Sequence, residues 1–249
     1  MSIFFILFFL LHLSTSQLDD CTSAPCSKHG PTIRFPFRLK DNQPPHCGFP
    51  GFDLSCSPNT AATLLNLPYS VQVIVTNIDY KSQLIHIKGS NSCLLNLSTT
   101  PFQFADSVYN FSLFSCPSTI PVESFEGPWW STPAACLSGD GQEVYVKSSG
   151  MSICYLPQLI SCRKMYNVWS VPYDAFDQTA DLQLTWPQPV CGNCEAEGKF
   201  CGFMSNSTSG EIECFGNLNP PKKGTPFSSF PFVCMLKSEK VKRKFAYPK

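Results

Sequence analysis

CTSAPCSKHGPTIRFPFRLKDNQPPHCGFPGFDLSC, residues 21–56, is the stretch that decides the fold. Its four cysteines and three glycines, with prolines between them, surround two short apolar runs. Proline and glycine break the backbone into turns, so we expect residues 33–39 and residues 52–55 to be two separate extended segments.

The segment of residues 33–39 has the alternation of a strand. Period two puts four apolar side chains on one face, namely Ile33, Phe35, Phe37 and Leu39. Arg34 and Arg38 then point to the other face, with Pro36 between them. Because proline removes a ladder donor, we expect an edge strand. Two outward arginines on such a strand can bind an anion, or they can simply keep an exposed edge soluble.

The same residues carry a family resemblance. The cysteine spacing, Ile-Arg-Phe-Pro-Phe at 33–37 and Cys-Gly-Phe-Pro-Gly-Phe-Asp-Leu-Ser-Cys at 47–56 resemble the galacturonan-binding module of plant wall-associated receptor kinases. The same residues also resemble the version of this module that lies in front of the RING-H2 finger in ATL-type membrane proteins. The resemblance extends over residues 21–116 and more loosely over 191–214. It implies noncatalytic binding of pectic polysaccharide outside the cell, in relatives that are anchored in the plasma membrane.

The N-terminus and the cysteines indicate an oxidising compartment. Residues 3–13 are almost entirely apolar and small residues follow at 14–16, which predicts a signal peptide over 1–16 and a secreted, extracellular or cell-wall protein. Disulfides are then the default. The cysteines expected to form them are Cys21, Cys26, Cys47, Cys56, Cys93, Cys116, Cys136, Cys154, Cys162, Cys191, Cys194, Cys201 and Cys214. We expect the local closures Cys47–Cys56 and Cys93–Cys116, and we expect Cys234 to lack a partner.

Three sequons agree with secretion. Asn96, Asn110 and Asn206 each begin an Asn-x-Ser/Thr triplet, so we expect N-glycosylation at all three and a surface position for each side chain.

Composition indicates a folded, cross-linked chain. The 249 residues include 14 cysteines and 22 prolines, and 43% of the residues are hydrophobic, which argues against disorder. The formal net charge of zero hides an asymmetry, because eight of the 18 basic residues and one of the 18 acids lie in residues 222–249. We expect residues 217–249 to be a disordered basic tail. Their short apolar patch does not reach the roughly 20 apolar residues of a membrane span, so no span is expected after signal cleavage.

The remaining chain predicts an all-β, disulfide-rich extracellular fold. Residues 71–75 and 84–88 read as a hairpin with its turn near 80–83, and 109–114 as a strand that ends at Cys116. Further strands are expected at 143–146, 159–165, 168–171 and 182–186. We divide the chain into five parts, namely a signal peptide at 1–16, a galacturonan-binding-like domain at 17–120, a β-rich continuation with a Pro/Trp loop at 121–188, a small cysteine-rich module at 189–216 and the tail at 217–249.

Catalytic and metal motifs are weak in this sequence. Cys191, Cys194, Cys201 and Cys214 are a possible four-thiolate zinc site, but the compartment favours disulfides. The four histidines, none beyond position 86, do not supply a RING-H2 finger, and kinase motifs and the Gly-x-Ser-x-Gly elbow are absent. Acidic residues are present for glycosidase chemistry without any pair standing out. We therefore expect no enzyme activity, no cofactor and no metal.

Binding remains as the predicted function. Each sugar of homogalacturonan carries a carboxylate, which a guanidinium fork can bind with two hydrogen bonds. The predicted ligands are Arg34 and Arg38, supported by Lys28 and Lys40. Phe49, Phe52, Tyr69 and the pair at 129–130 are candidate stacking platforms, although core packing is the alternative for most of them. The alternatives in function are a protein-interaction ectodomain or decoy that binds a partner at the cell surface, and a truncated ATL-type ligase. No nucleic-acid partner is expected.

Overall fold

Two β-sheets and a small cysteine-linked hairpin make up the fold. The computed structural model describes residues 21–89, 92–119, 133–139, 141–150, 159, 161–204, 210–216 and 218, all within the compact unit of residues 1–218. The predicted signal peptide, the residues at 129–130, Cys154, Asn206 and Cys234 lie outside the described residues. The described part is mostly strand and carries six disulfides, so the predicted disulfide-rich all-β class is confirmed.

The strands are short, as expected for a chain rich in turns. Those of the large sheet are β1 (Arg38–Leu39), β2 (Asp53–Cys56), β3 (Thr63–Asn66), β4 (Gln72–Asp79), β5 (Leu84–Lys88), β6 (Gln103–Phe104) and β10 (Asp181–Thr185). Those of the small sheet are β7 (Tyr109–Pro117), β8 (Gln142–Ser148) and β9 (Arg163–Val171). The hairpin consists of β11 (Phe200–Phe203) and β12 (Ile212–Phe215), preceded by a single-turn α-helix, α1 (Gly192–Ala196). Short 3-10 helices lie at Pro45–Cys47, Pro68–Ser70, Ala135–Leu137 and Tyr173–Phe176.

The large sheet has the order β1-β2-β3-β4-β5-β10-β6. Strands β1 and β2 are parallel, and the other pairs in this sheet are antiparallel. The β4–β5 hairpin has its turn at 80–83, as predicted. Strand β10 comes from late in the chain and lies between β5 and β6, with Leu182 opposite Ile87. The large sheet therefore contains residues from both sides of the predicted domain boundary at 120.

The small sheet, in the order β8-β7-β9, packs against the large one. Phe111 and Leu113 of β7 belong to the same buried cluster as Leu39 and Ile87 of the large sheet. The other face of β7 forms a second cluster with Phe114 and its neighbours. This is the burial expected for strands that alternate between two faces.

Residues 33–39 do not form one strand, and that prediction is wrong in its length. A turn interrupts the segment, since the Phe37 amide donates to the Arg34 carbonyl at 3.0 Å, and only Arg38–Leu39 pairs as a strand. The edge position is confirmed because β1 ends the large sheet. Phe37 is fully buried in the main core as predicted, whereas Phe35 packs against the C-terminal cysteine cluster.

The disulfides correct both predicted closures. Cys47 pairs with Cys21, and Cys56 pairs with Cys26. The antiparallel bridge between Ala24 and Ile33 folds residues 21–26 back along the rest of the stretch, so Cys21 and Cys26 take Cys47 and Cys56 as partners.

The second wrong closure has a different cause. Cys93 packs against the main core and pairs with Cys136, whereas Cys116 belongs to the cluster on the opposite face of β7 and pairs with Cys162. A side chain on one face of a strand does not reach a partner that lies behind the other face.

The C-terminal cysteine module is closed by its own two bridges. Cys191 pairs with Cys201 and Cys194 with Cys214, so the predicted disulfides are present in place of a zinc site. Its buried cluster consists of three cysteines, with Phe35 and Ile212 packed against them.

Candidate polysaccharide-binding site

Arg34 is a largely buried cation that reaches the C-terminal cysteine module. Its Nη2 lies 2.6 Å from Glu195 Oε2, and its guanidinium carbon lies 3.6 Å from the centre of the Tyr80 ring. The side chains of Arg34 and Glu195 are 16% and 4% exposed. The contact joins Nη2 to Oε2 over the Tyr80 ring, while Arg34 Nη1 and Glu195 Oε1 are buried without a hydrogen-bond partner among the described residues. Arg34 thus already binds an acid of its own chain.

Tyr80 fixes the backbone beneath this ion pair. Its hydroxyl accepts a hydrogen bond from the Arg34 amide at 3.0 Å and donates one to the Thr32 carbonyl at 2.9 Å. Burial raises the pKa of Tyr80 well above its usual value, so the phenol stays protonated and remains a donor. Burial also raises the pKa of Glu195, while the charge of Arg34 opposes that shift.

Arg38 is held in the same way by a nearer partner. Its Nε lies 2.7 Å from Asp53 Oδ1, and its Nη1 donates to the Gln43 carbonyl at 2.9 Å. The Arg38 side chain is 12% exposed and that of Asp53 is 42% exposed. A Cβ added to Gly48 would lie 2.7 Å from Arg38 Cγ, so only glycine leaves room for this side chain.

Gln43 completes the support of Arg38 and is a site residue that the sequence reasoning missed. It is buried, its Nε2 donates to the Thr22 carbonyl at 2.8 Å, and its Oε1 accepts from the Leu39 amide at 2.7 Å. A polar side chain between the edge strand and a pair of prolines was the available signal. The structure therefore places both predicted arginines in internal networks.

Lys28 and Lys40 differ from the arginines because both are exposed. Lys28 lies in the turn closed by the Gly30 amide and the Ser27 carbonyl. Lys40 follows β1 directly. Within the part of the chain that the structure describes, neither ammonium group takes part in an ion pair. These two cations remain available to an external carboxylate.

The candidate stacking residues separate by burial. Phe52 is fully buried among Phe37, Phe102 and Trp186, and so it is a core residue. Phe49 is half-buried and its ring packs on Phe203. Tyr69 is 76% exposed and presents an open ring. Only the last of the three described candidates offers a face to a sugar.

Cys21, His46 and Cys47 come together with the spacing of a metal site. The two sulfurs are bonded to each other, however, and a disulfide supplies no thiolate ligand. His46 alone does not make a metal centre.

Two predicted glycosylation sites and several aromatic rings beyond residue 89 lie at the surface. Asn96 and Asn110 are exposed, as a modified asparagine must be. Trp169 of β9 is 61% exposed, and Tyr109 and Tyr173 form an exposed pair with ring centres 5.3 Å apart. The sequence predicted strands at 109–114 and 168–171, which include Tyr109 and Trp169, but it did not single out any of these three open rings.

Residues 21–89 match the family model of wall-associated receptor kinase galacturonan-binding modules. The predicted resemblance is thereby confirmed, and it covers β1 to β5 with Arg34 and Arg38, while Glu195, the partner of Arg34, lies outside the matched residues.

Three relatives from Arabidopsis thaliana are similar to most of the chain. The RING-H2 finger protein ATL22 of Arabidopsis thaliana is 31% identical over 94% of this chain and 63% of its own length. The putative RING-H2 finger protein ATL21A of the same plant is 33% identical over 85% of this chain and 58% of its own length. A leaf rust 10 disease-resistance locus receptor-like protein kinase-like 1.2, also from Arabidopsis thaliana, is 31% identical over 81% of this chain and 34% of its own length.

The chain spans about six tenths of the length of the RING-H2 finger relatives, which carry further sequence of their own. No solved structure matches this chain. Among the residues that the structure describes, no helix has the length and apolar character that crossing a membrane requires.

Proposed function

We propose that residues 21–89 bind galacturonan without cleaving it, as the pectin-binding part of an extracellular cell-wall protein. The observation that carries the proposal is the match of these residues to the galacturonan-binding family model. The exposed ammonium groups of Lys28 and Lys40 and the open ring of Tyr69 lie within the same residues.

The proposal divides the four basic residues into two roles. Arg34 and Arg38 hold the module together through Glu195 and Asp53, since their guanidinium groups are largely buried against these acids. Lys28 and Lys40 pair with uronate carboxylates. An exposed ion pair contributes only about 0–1 kcal/mol, so tight binding requires several contacts along one polymer chain.

Ionic recognition of this kind has two consequences. Retention on pectin weakens as salt rises, because salt screens exposed charges over about 10 Å at 0.1 M. It also weakens as the pectin is methyl-esterified, because an ester removes the charge that an ammonium group binds. A neutral glucan serves as the control polymer.

The test uses the secreted full chain on immobilised polygalacturonate. We expect Lys28→Ala with Lys40→Ala to lower the apparent affinity about fivefold, in line with two exposed ion pairs. Lys81→Ala with Lys164→Ala is the matched control, because it removes two exposed lysines and the same total charge. Equal affinity of the K28A/K40A variant and the wild type would contradict the proposal. So would an affinity that does not change with the methyl-esterification of the pectin.

A second candidate function is the recognition of a protein partner by an ectodomain of the receptor or RING-H2 type. It is supported by the similarity to such proteins over most of the chain and by the exposed rings of Tyr109, Trp169 and Tyr173. A chain that passes unretained through columns of both polygalacturonate and neutral glucan would favour it over pectin binding.

A further inference from the structure

A groove of about 450 Å³ lies beside strands β6 and β9, outside the residues that match the galacturonan-binding family. This volume falls within the range of about 300–1,000 Å³ that is typical of small-molecule sites. The lining residues are Leu95, Asn96, Leu97, Ser98, Thr100, Phe102, Gln103, Phe104, Val108, Trp169 and Ser170.

The lining has the chemistry of a sugar site. It combines an open indole, from Trp169 at 61% exposure, with hydroxyl and amide groups. The C–H face of a pyranose ring packs on an aromatic face, and its hydroxyls exchange hydrogen bonds with alcohols and amides. None of the described lining side chains carries a charge. The groove therefore suits a neutral sugar better than a uronate.

One residue of the lining can itself be the attachment point of a sugar. Asn96 begins the sequon Asn96-Leu97-Ser98, its side chain is exposed, and it lines the groove. Its Oδ1 accepts a hydrogen bond from the Ser98 amide at 2.8 Å, so the carboxamide is held by its oxygen and not by Nδ2, the atom that N-glycosylation modifies. Because Asn96 lines the groove, a sugar joined at Nδ2 starts next to the other lining residues.

We propose that the groove holds the first N-acetylglucosamine residues of a glycan attached to Asn96, with Trp169 as their stacking surface. In the attachment, Asn96 Nδ2 forms a bond to C1 of the sugar and loses a proton. The bond from C1 to the diphosphate of a lipid-linked oligosaccharide donor breaks at the same time. The donor supplies the sugar, and no oxidant or reductant is needed.

Covalent attachment favours this occupant over a free oligosaccharide. The tether keeps the sugar at a high effective concentration beside Trp169, and no cation lines the groove to attract galacturonan. The neighbouring sequon provides a contrast. Asn110 Oδ1 accepts from the Ser170 amide at 3.1 Å, yet Asn110 does not line the groove. Its glycan starts beside the groove and serves as the control.

The test compares variants of the full chain secreted from a eukaryotic host. Ser98→Ala removes the Asn96 sequon while keeping the asparagine, and Asn110→Gln removes the neighbouring one. In the wild type we expect glycopeptide mapping to find Asn96 occupied, and we expect the anomeric and ring protons of its first sugars to shift upfield in the NMR spectrum under the ring current of Trp169. Trp169→Ala should abolish that upfield shift without unfolding the chain, because the indole is largely exposed. Tyr69→Ala, at another exposed ring, should leave it unchanged.

Stability provides an independent readout. Loss of the Asn96 glycan through Ser98→Ala should lower the Tm by about 3 °C, and it should have no such effect in a Trp169→Ala background. Asn110→Gln should leave the sugar shifts unchanged.

Several results would overturn the proposal. They are an unmodified Asn96, first sugars with the shifts of a free glycan, and equal Tm losses from Ser98→Ala with and without Trp169. Trp169-dependent binding of a free neutral or pectic oligosaccharide to fully glycosylated protein would also overturn it, because the groove would then be open to an external ligand. Pectin binding at Lys28 and Lys40 is measured separately and is unaffected by any of these outcomes.

Discussion

The two cysteine-rich regions of this molecule are stabilised in different ways. Residues 21–56 supply Phe37 and Phe52, which are fully buried in the core shared by both sheets. The described residues of 191–214 supply no side chain to that core, and their own buried cluster consists of cysteines. Both regions have two internal disulfides. Similar cross-linking therefore supports an integral part of the sheet in one case and a peripheral module in the other.

The peripheral module contacts the first region through a buried ion pair and through the Phe203 ring, which packs on both Phe35 and Phe49. Arg34 binds Glu195, and Phe35 packs against Phe203 with ring centres 4.9 Å apart. An arginine that the sequence presents as a ligand for an external carboxylate thus holds an internal one. The comparison teaches that positive charge near cysteines is not by itself a sign of an external ligand, because an acid distant in sequence can neutralise it.

The largest expected effect comes from removing a disulfide of the first region. Cys26→Ala with Cys56→Ala should lower the free energy of unfolding by about 3 kcal/mol, because that bridge closes a loop of 30 residues attached to the central sheet. Urea denaturation measures the loss.

Cys194→Ala with Cys214→Ala is the matched change in the other region, with a sequence separation of 20. We expect faster amide exchange only in residues 191–216, since this module adds nothing to the main core. Equal loss of protection in β4 and β5 would show that the two regions unfold as one unit and would break the comparison.

A smaller effect is expected at the connection between the regions. Glu195→Ala leaves the largely buried guanidinium of Arg34 without its acid and should cost about 3 kcal/mol or slightly less, since the stacking on Tyr80 remains. Asp53→Ala is the control at the other arginine and should cost about 1 kcal/mol, because Asp53 is far more exposed. Thermal and urea unfolding of both variants check the order, and a larger loss for Asp53→Ala would contradict it.

The smallest effect is a pH dependence at Glu195. Burial raises the folded-state pKa of this carboxyl, so the folded protein takes up the proton more readily than the unfolded chain. The stability that Glu195 contributes is present below its unfolded pKa and is lost as pH rises through the folded value. Relative to Glu195→Gln, the wild type should therefore gain stability between pH 7 and pH 4. Unfolding free energies of the two proteins across this range test the sign, and a relative loss in acid would show that Arg34 dominates.

Much of the fold was predictable because it follows from local pattern. The alternation in residues 84–88 and 182–186 places Ile85, Ile87 and Leu184 in the core, as a half-buried strand requires. The predicted signal peptide and the cysteine spacing favoured disulfides over zinc at Cys191 and Cys194, and both cysteines form disulfides in the structure.

The candidate site was less predictable because its partners are distant in sequence. Glu195 lies 161 residues from Arg34, and nothing local marks it as the acid that neutralises this arginine. The prediction of a Cys93–Cys116 disulfide was wrong for a related reason. Cys93 packs against the main core on one side of β7, whereas Cys116 belongs to the cluster on its other side. Exposure of Lys28, Lys40 and Trp169 is likewise a property of the assembled sheets.

Strand β10 has a consequence for anyone who isolates the family module. Residues 21–89 end with β5, and the neighbour that β5 requires is Asp181–Thr185. A fragment that stops at residue 89 leaves the backbone donors and acceptors along one edge of β5 unpaired beside Ile85 and Ile87. An exposed strand edge of this kind promotes aggregation. During synthesis, nearly one hundred more residues must also be added before β10 can pair with this edge of β5. Soluble material is therefore to be sought from a chain that extends beyond β10.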